Sequence, residues 1–121
     1  QRQAWVAAPR TGEVWNARLA QQHVVIAESA SDIQGFMSVT SNGYIDFAYV
    51  RPLFQRTGLF RKLYCEIEGW ALEARMSRLW THASMMAHPA FAAVGFNVVR
   101  QEAVELRGQV FERYEMQKPL G

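Results

Sequence analysis

The sequence predicts an α+β domain on one mixed sheet: an antiparallel amino-terminal meander, a parallel strand pair joined by a helix, and a carboxy-terminal hairpin. Three observations carry that prediction. Asn42-Gly43 stands between two β-rich runs and is the strongest short-range hairpin signal in the chain. From Gly58 to Met76, apolar residues recur at the spacing of an amphipathic helix. Arg78 to Ser84 then reads as a strand, and strand–helix–strand implies a parallel pair with a right-handed crossover.

The elements follow in order. Gln1 to Ala8 is predicted helical and ended by Pro9 and the Arg10-Thr11-Gly12 turn. Thr11 caps a second helix, with Glu13 in its first turn and Val14, Trp15, Arg18 and Leu19 at helical spacing. Val24 to Glu28 is a short β-branched strand, Ser29 to Asp32 a polar turn, and Gly35 to Thr40 the second strand. Asn42-Gly43 is expected to form a two-residue turn with positive φ at both positions, leading into Tyr44 to Val50. The long helix carries its stripe on Leu59, Leu63, Ile67, Trp70, Ala71 and Ala74. Gly69 inside it should cost about 1 kcal/mol relative to Ala, so close packing is expected there. Pro89 to Val94 is a short helix stopped by Gly95, and Phe96 to Leu106 and Gln109 to Lys118 are strands hinged at Arg107-Gly108.

Composition bounds the function. The 121 residues suffice for a single domain with its own core, here residues 1–121 throughout. Thirteen basic against eleven acidic residues leave a net charge of +2, with the signs interleaved, which does not point to nucleic acid. One cysteine excludes an internal disulfide and a cysteine-based zinc site and fits a reducing compartment. No apolar run reaches the ~18 residues of a membrane span, and no secretory leader is visible. A cytoplasmic protein without a membrane partner is expected. The chain opens at Gln1 on what reads as mid-helix, so an upstream segment is expected to be missing.

The segment that carries chemistry is Val50 to Arg61, where a strand ends, a loop turns, and a helix begins at Thr57 or Gly58. A helix start has unpaired N–H groups and the positive end of the macrodipole, which together suit an anion. Gly58 lacks a Cβ, and Arg56, Arg61 and Lys62 surround the turn, the specification for gripping a pyrophosphate. The plainer reading is a glycine that relieves a tight helix start among solvated cations. A Walker loop is excluded, since no Gly-Lys-Ser/Thr follows.

The surrounding order sharpens this. Ile45-Asp46 leads to Tyr49-Val50-x-Pro52, and Gln55-x-x-Gly58 opens the helix containing Leu63. Ala83-Ser84, Gly95-Phe96 and Tyr114-x-Met116-x-Lys118-x-Leu120 follow, while Gln1-x-x-Ala4-Trp5 and Trp15-x-x-Arg18-Leu19 precede. Across nearly the whole chain this resembles the small bacterial type of the GNAT superfamily of acetyl-CoA-dependent N-acetyltransferases. The resemblance implies a GNAT-like sheet whose two parallel strands splay apart, with acetyl-CoA as cosubstrate and no metal. It implies that the backbone of Phe47, Ala48, Tyr49 and Val50 binds the pantetheine and polarises the thioester. Amides of Gln55, Arg56, Thr57, Gly58, Leu59, Phe60 and Arg61 would hold the pyrophosphate, and Ser84 and Phe91 would close the far side. The acceptor would be a small-molecule or peptide amine. Three departures stand out. Phe60 occupies a position where the family has Gly or Ala, and either crowds the phosphates or points into the core. Phe91 replaces a Tyr that protonates the leaving thiolate. The family's first strand and helix are absent, which would leave an open sheet edge that a homodimer could hide.

Attack by an amine needs a base, because a lysine-type ammonium titrates near 10.4. Asp46 lies on the strand flanking the thioester, with Tyr44, Ala48 and Val50 on the same side by alternation; it is a base or a carboxylate bonded to backbone or an Arg. Glu28 shares the face of Val24 and Ile26 and is a base or an exposed strand end. His82 shares a face with Trp80 and Ser84, and an imidazole titrates near neutrality; it is a base or a hydrogen-bonded structural histidine. His23 is expected at the surface, and His88, before Pro89 and near the expected site entrance, is a substrate contact or loop decoration. Cys65 lies off the apolar stripe with no base nearby, the four Trp residues read as core anchors, and Met85-Met86 as acceptor-pocket lining or core filler. The expected activity is acetyl transfer to a primary amine; its rivals are a non-catalytic CoA-binding module and a protein-interaction domain.

Overall fold

A computed structural model describes residues 21–29 and 32–121, and residues 4–6 as backbone only. Its elements are β1 (Ala4–Val6), β2 (Gln22–Ser29), β3 (Asp32–Thr40), β4 (Tyr44–Val50), a 3-10 turn (Pro52–Phe54), α1 (Leu59–Glu73), β5 (Arg78–Ser84), α2 (His88–Ala93), β6 (Asn97–Leu106) and β7 (Gln109–Pro119). The described strands form one sheet in the order β1-β2-β3-β4-β5-β7-β6. β4 and β5 pair in parallel and the other neighbours antiparallel. This is the expected α+β mixed sheet, with β7 rather than β6 inserted beside β5.

α1 supplies the wall of the core. Leu59, Leu63, Ile67 and Ala71 are buried as the stripe requires, whereas Trp70 is half-buried and Ala74 is exposed beyond the helix end at Glu73; Tyr64 joins the buried set although it lies off the stripe. They pack on Met37, Val39, Ile45, Leu79 and Met116 from the sheet, with Phe91 and Phe96 at one end. Each such side chain contributes roughly 1.5–3 kcal/mol by leaving water. The Tyr64 hydroxyl donates to Glu68 Oε1 at 2.5 Å, and Lys118 Nζ donates to the same oxygen at 2.7 Å and to the Val94 carbonyl at 2.9 Å. Burial first, and then the bond to the carboxylate, push the Tyr64 hydroxyl well above its ordinary range. The Lys118 bond, followed by the Tyr64 bond, holds Glu68 below the usual carboxylate range.

Several local expectations are corrected. Ala4–Val6 is a strand, paired with Ile26–Glu28, because the edge of β2 offers backbone partners that eight residues of isolated helix lack. The sheet edge expected to lie open is therefore partly covered. The rest of the predicted first helix and the second helix lie outside the described residues, as do Ala30 and Ser31; of the turn predicted over residues 29–32, Ser29 ends β2 and Asp32 begins β3, paired with each other. The β3–β4 connection is a three-residue loop in which Gly43 alone has positive φ, 87°, and its N–H returns to the Thr40 carbonyl. The two-residue turn with both φ positive sits instead at Arg107-Gly108, 54° and 79°. Gly69 is exposed, and a Cβ there would meet nothing within 4 Å, so no close packing explains it. His23 is half-buried under α1, its ring stacked on Trp70 at 4.6 Å, since odd-numbered β2 residues face the helix. Met85 and Met86 are exposed and fill no core.

Candidate functional site

The parallel pair is short. Tyr44 aligns with Trp80 and Ile45 with Thr81, and there the pairing stops, so β4 from Asp46 onward and β5 from His82 onward diverge. Thr81 Oγ1 donates to the Ile45 carbonyl at 2.8 Å and closes the narrow end of the notch. A β-bulge helps to open it. Val39 aligns with Ile45 but Ser38 with Phe47, so Asp46 is an extra residue on β4. One added residue reverses the alternation beyond it. Tyr44, Asp46, Phe47 and Tyr49 therefore share the face away from α1, whereas Val50 packs on the helix-side core. Asp46 does not share a side with Ala48 and Val50, as strict alternation had predicted.

The backbone donors of β4 divide between the two edges. Phe47 N–H donates to Ser38 Oγ at 3.2 Å and Arg51 N–H to the Gln34 carbonyl at 2.9 Å, both towards β3. By alternation the amides of Ala48 and Val50 point into the notch, and those of Phe47 and Tyr49 do not. Gln55 Nε2 ties the loop to the Val50 carbonyl at 3.2 Å, and Gln55 N–H closes the 3-10 turn on Pro52.

At the open end, Gly58 caps α1 with φ 86°, and the first helical bond is Lys62 N–H to the Gly58 carbonyl. No amide of residues 56–61 has a main-chain acceptor among the described residues, and no side chain caps the helix. A Cβ on Gly58 would meet nothing within 4 Å, so the space over it is open. Leu59 is buried beneath the turn. Phe60 turns inward, its ring edge-on to Phe91 at 5.1 Å, which resolves the sequence alternatives: it leaves the amides clear. Arg56 and Lys62 are exposed, while the Arg61 guanidinium reaches across to the Ala93 carbonyl at the end of α2, 3.0 Å away. Ser84 Oγ accepts the Ala87 N–H at 3.1 Å and shapes the turn into α2. Phe91 is 2 % exposed, so its ring belongs to the core, and only its packing supports the far wall.

On the face away from the helices, the narrow end of the notch adjoins an open cleft of about 490 Å³ lined by Gln22, Thr40, Tyr44, Asp46 and Trp80, among others. Gln22 Nε2 donates to Asp46 Oδ2 at 2.8 Å, while Gln22 Oε1 is buried with no partner among the described residues. Tyr44 OH is 2.9 Å from His82 Nδ1, and His82 Nε2 is 3.8 Å from Glu102 Oε1. Arg113 Nε donates to Glu102 at 2.8 Å and, as the leading cause, keeps that carboxyl below its ordinary range. Arg100 pairs with Glu115 at 3.2 Å. His82, Glu102 and Glu115 hold ligand-type atoms within 4.8 Å of one another, but both carboxylates are compensated by these arginines, and the group is an ion-pair network. Trp80 lies half-buried here between Tyr44 and Arg78 and is no core anchor.

The family description "Acetyltransferase (GNAT) domain" matches residues 3–118. This chain is a member of the GNAT acetyltransferase family. An uncharacterised N-acetyltransferase, YafP, of Escherichia coli (strain K12) is 33% identical over 102 residues, covering 84% of this chain and 64% of that protein. The chain thus spans under two thirds of that relative's length. A GCN5-related N-acetyltransferase structure from Rhodopseudomonas palustris is similar at 27% identity and a TM-score of 0.80, over 88% of this chain and 66% of that one. A Bacillus subtilis acetyltransferase solved with CoA has the same fold at 10% identity and a TM-score of 0.78, over 98% of this chain and 99% of that one.

In this GNAT domain the three candidate bases do not converge. Asp46 and His82 stand at the first unpaired step of β4 and β5. Glu28 lies six residues along β2 from Gln22, about 20 Å away along the strand. Sequence reading passed over Gln22, Glu102 and the Tyr44 hydroxyl as partners, and no local pattern marks them: Tyr44 and His82 are 38 residues apart. Among the described residues, no helix is long and apolar enough to cross a membrane.

Proposed function

We propose that this domain transfers the acetyl group of acetyl-CoA to a primary amine by direct attack in a ternary complex, without a covalent enzyme intermediate. The observation that carries the reading is the notch: two parallel strands that separate after Ile45 and Thr81, with the unpaired amides of residues 56–61 at its open end. An extended pantetheine fits such a gap as an additional strand, its amides bonding to the notch-facing groups of Ala48 and Val50. The diphosphate sits over Gly58, where the helix dipole and up to six N–H groups favour negative charge. Arg56 and Lys62 add long-range attraction. The CoA held by the Bacillus subtilis neighbour supports this choice of cosubstrate.

The thioester then lies at the narrow end. Ala48 N–H is placed to stabilise the oxyanion, an interaction that typically contributes 10²–10³ in rate. Asp46 and His82 flank the same point as candidate bases, and the amine enters from the polar cleft beside them. Glu28, six residues along β2 from Gln22, is the candidate suited to a distal part of a long acceptor.

Acetyl-CoA should raise the melting temperature of the wild type; at 100 times its dissociation constant the expected gain is about 2.7 kcal/mol. Gly58→Arg fills the open space with a side chain and should abolish that shift while circular dichroism stays unchanged. An undiminished shift removes the diphosphate assignment. CoA release with a panel of amines completes the test, and ligand stabilisation without release leaves a CoA-binding module.

A further inference from the structure

The candidate bases differ in what surrounds them, and one, His82, stands between a hydroxyl at hydrogen-bond distance and a carboxylate at ion-pair distance. Tyr44 lines the polar cleft, and its hydroxyl is 2.9 Å from His82 Nδ1. The other ring nitrogen faces Glu102 at 3.8 Å, and Glu102 is anchored by Arg113 at 2.8 Å. The groups facing the ring come from three strands: Tyr44 from β4, Glu115 and Arg113 from β7, Glu102 and Arg100 from β6. Both His82 and Glu102 are largely shielded, with side chains 20% and 25% exposed. A hydroxyl in front can pass a proton to the imidazole behind it, and the carboxylate 3.8 Å beyond lies where it would stabilise the resulting cation.

We infer that Tyr44, His82 and Glu102 form the proton relay of this site, with the Tyr44 hydroxyl as the group that meets the acceptor amine. The inference rests on the acetyl-transfer reading and deepens it. As the amine nitrogen attacks the thioester carbon, the new N–C bond forms and the nitrogen gives a proton to the Tyr44 oxygen. Tyr44 passes its own proton to His82 Nδ1, so the phenol ends neutral and the imidazole becomes imidazolium. Glu102 stabilises that cation across the sheet. The tetrahedral adduct then collapses, the C–S bond breaks, CoA leaves as its thiolate, and the proton on His82 is released to solvent. Tyr44 is the catalytic residue; His82 and Glu102 act through it. For this arrangement the resting His82 must be the Nε2–H tautomer, with Nδ1 accepting from Tyr44.

Two measurements test it. Nitrogen NMR of the ring, needing no substrate, should show Nε2–H His82 in the wild type and a changed Nδ1 resonance in Tyr44→Phe; a resting Nδ1–H tautomer overturns the relay. In steady-state kinetics with an amine that the wild type acetylates, Tyr44→Phe and His82→Gln should each lower kcat by about 10²–10⁴, with KM for acetyl-CoA and the acetyl-CoA thermal shift unchanged. A wild type that turns over while Tyr44→Phe keeps its kcat removes the relay alone. A wild type that releases no CoA with any amine removes the acetyl-transfer reading and the relay with it.

Discussion

The two faces of the sheet are made by the same strands and do different work. On the helix side, β5 presents Leu79, Thr81 and Ala83, all buried, and β4 presents Ile45 against α1. On the other side the same two strands present Trp80, His82, Tyr44 and Asp46, which line a cleft or join a hydrogen-bonded network. Alternation separates the residues that hold the fold from those proposed for the chemistry by a single step along the chain. The site can therefore collect polar and titratable groups without placing them in the core, and the core can tighten without moving the site. At the notch β4 and β5 no longer pair, which opens a passage between the two faces.

The sharpest way to break this division is from the helix side. Leu63 is fully buried between α1 and the sheet, and Leu63→Ala should cost about 2–5 kcal/mol in denaturant unfolding, from lost burial and the cavity left behind. If it instead costs as little as an exposed substitution, the helix face is not the seat of stability. Gly69 gives a smaller effect of opposite sign. It lies on the outer surface of α1 with open space where a Cβ would go, so Gly69→Ala should stabilise by about 1 kcal/mol and leave acetyl-CoA binding untouched. The smallest effect is a pH dependence on the helix side. Burial under Trp70 lowers the pKa of His23 from 6.5, against a smaller upward pull from Glu66. The unfolded chain therefore binds a proton more readily, so the contribution is fully present above about pH 6.5. It fades as pH falls through the lower folded value, and His23→Phe should flatten that part of the stability curve.

Much of the architecture was legible because it depends on local pattern. The stripe of Leu59, Leu63, Ile67 and Ala71 marked α1, and the β-branched and aromatic runs marked β2 to β7. The helix start at Gly58, flanked by cations, was legible as a turn whose amides lack main-chain acceptors among the described residues, and the proposed diphosphate site rests on it. Elements that depend on a partner were misread. Ala4–Val6 is a strand only because β2 offers an edge. The bulge at Asp46 leaves no trace in a pattern read two residues at a time, so the faces of Ala48 and Val50 came out reversed. The Arg61 guanidinium, read in sequence as one of the cations around the turn, bonds to the carbonyl end of α2, a neighbour 32 residues away, while its amide stays among those without such a main-chain acceptor.

Residue order alone determined the element sequence from β2 onward, the apolar stripe and the family, since each rests on spacing within a few turns of chain and on their succession. Only the folded sheet decided which amides of β4 face the notch, that Phe60 points inward, and that Tyr44 meets His82. Those outcomes depend on register and on where two strands stop pairing, and both are set by packing between segments far apart along the chain.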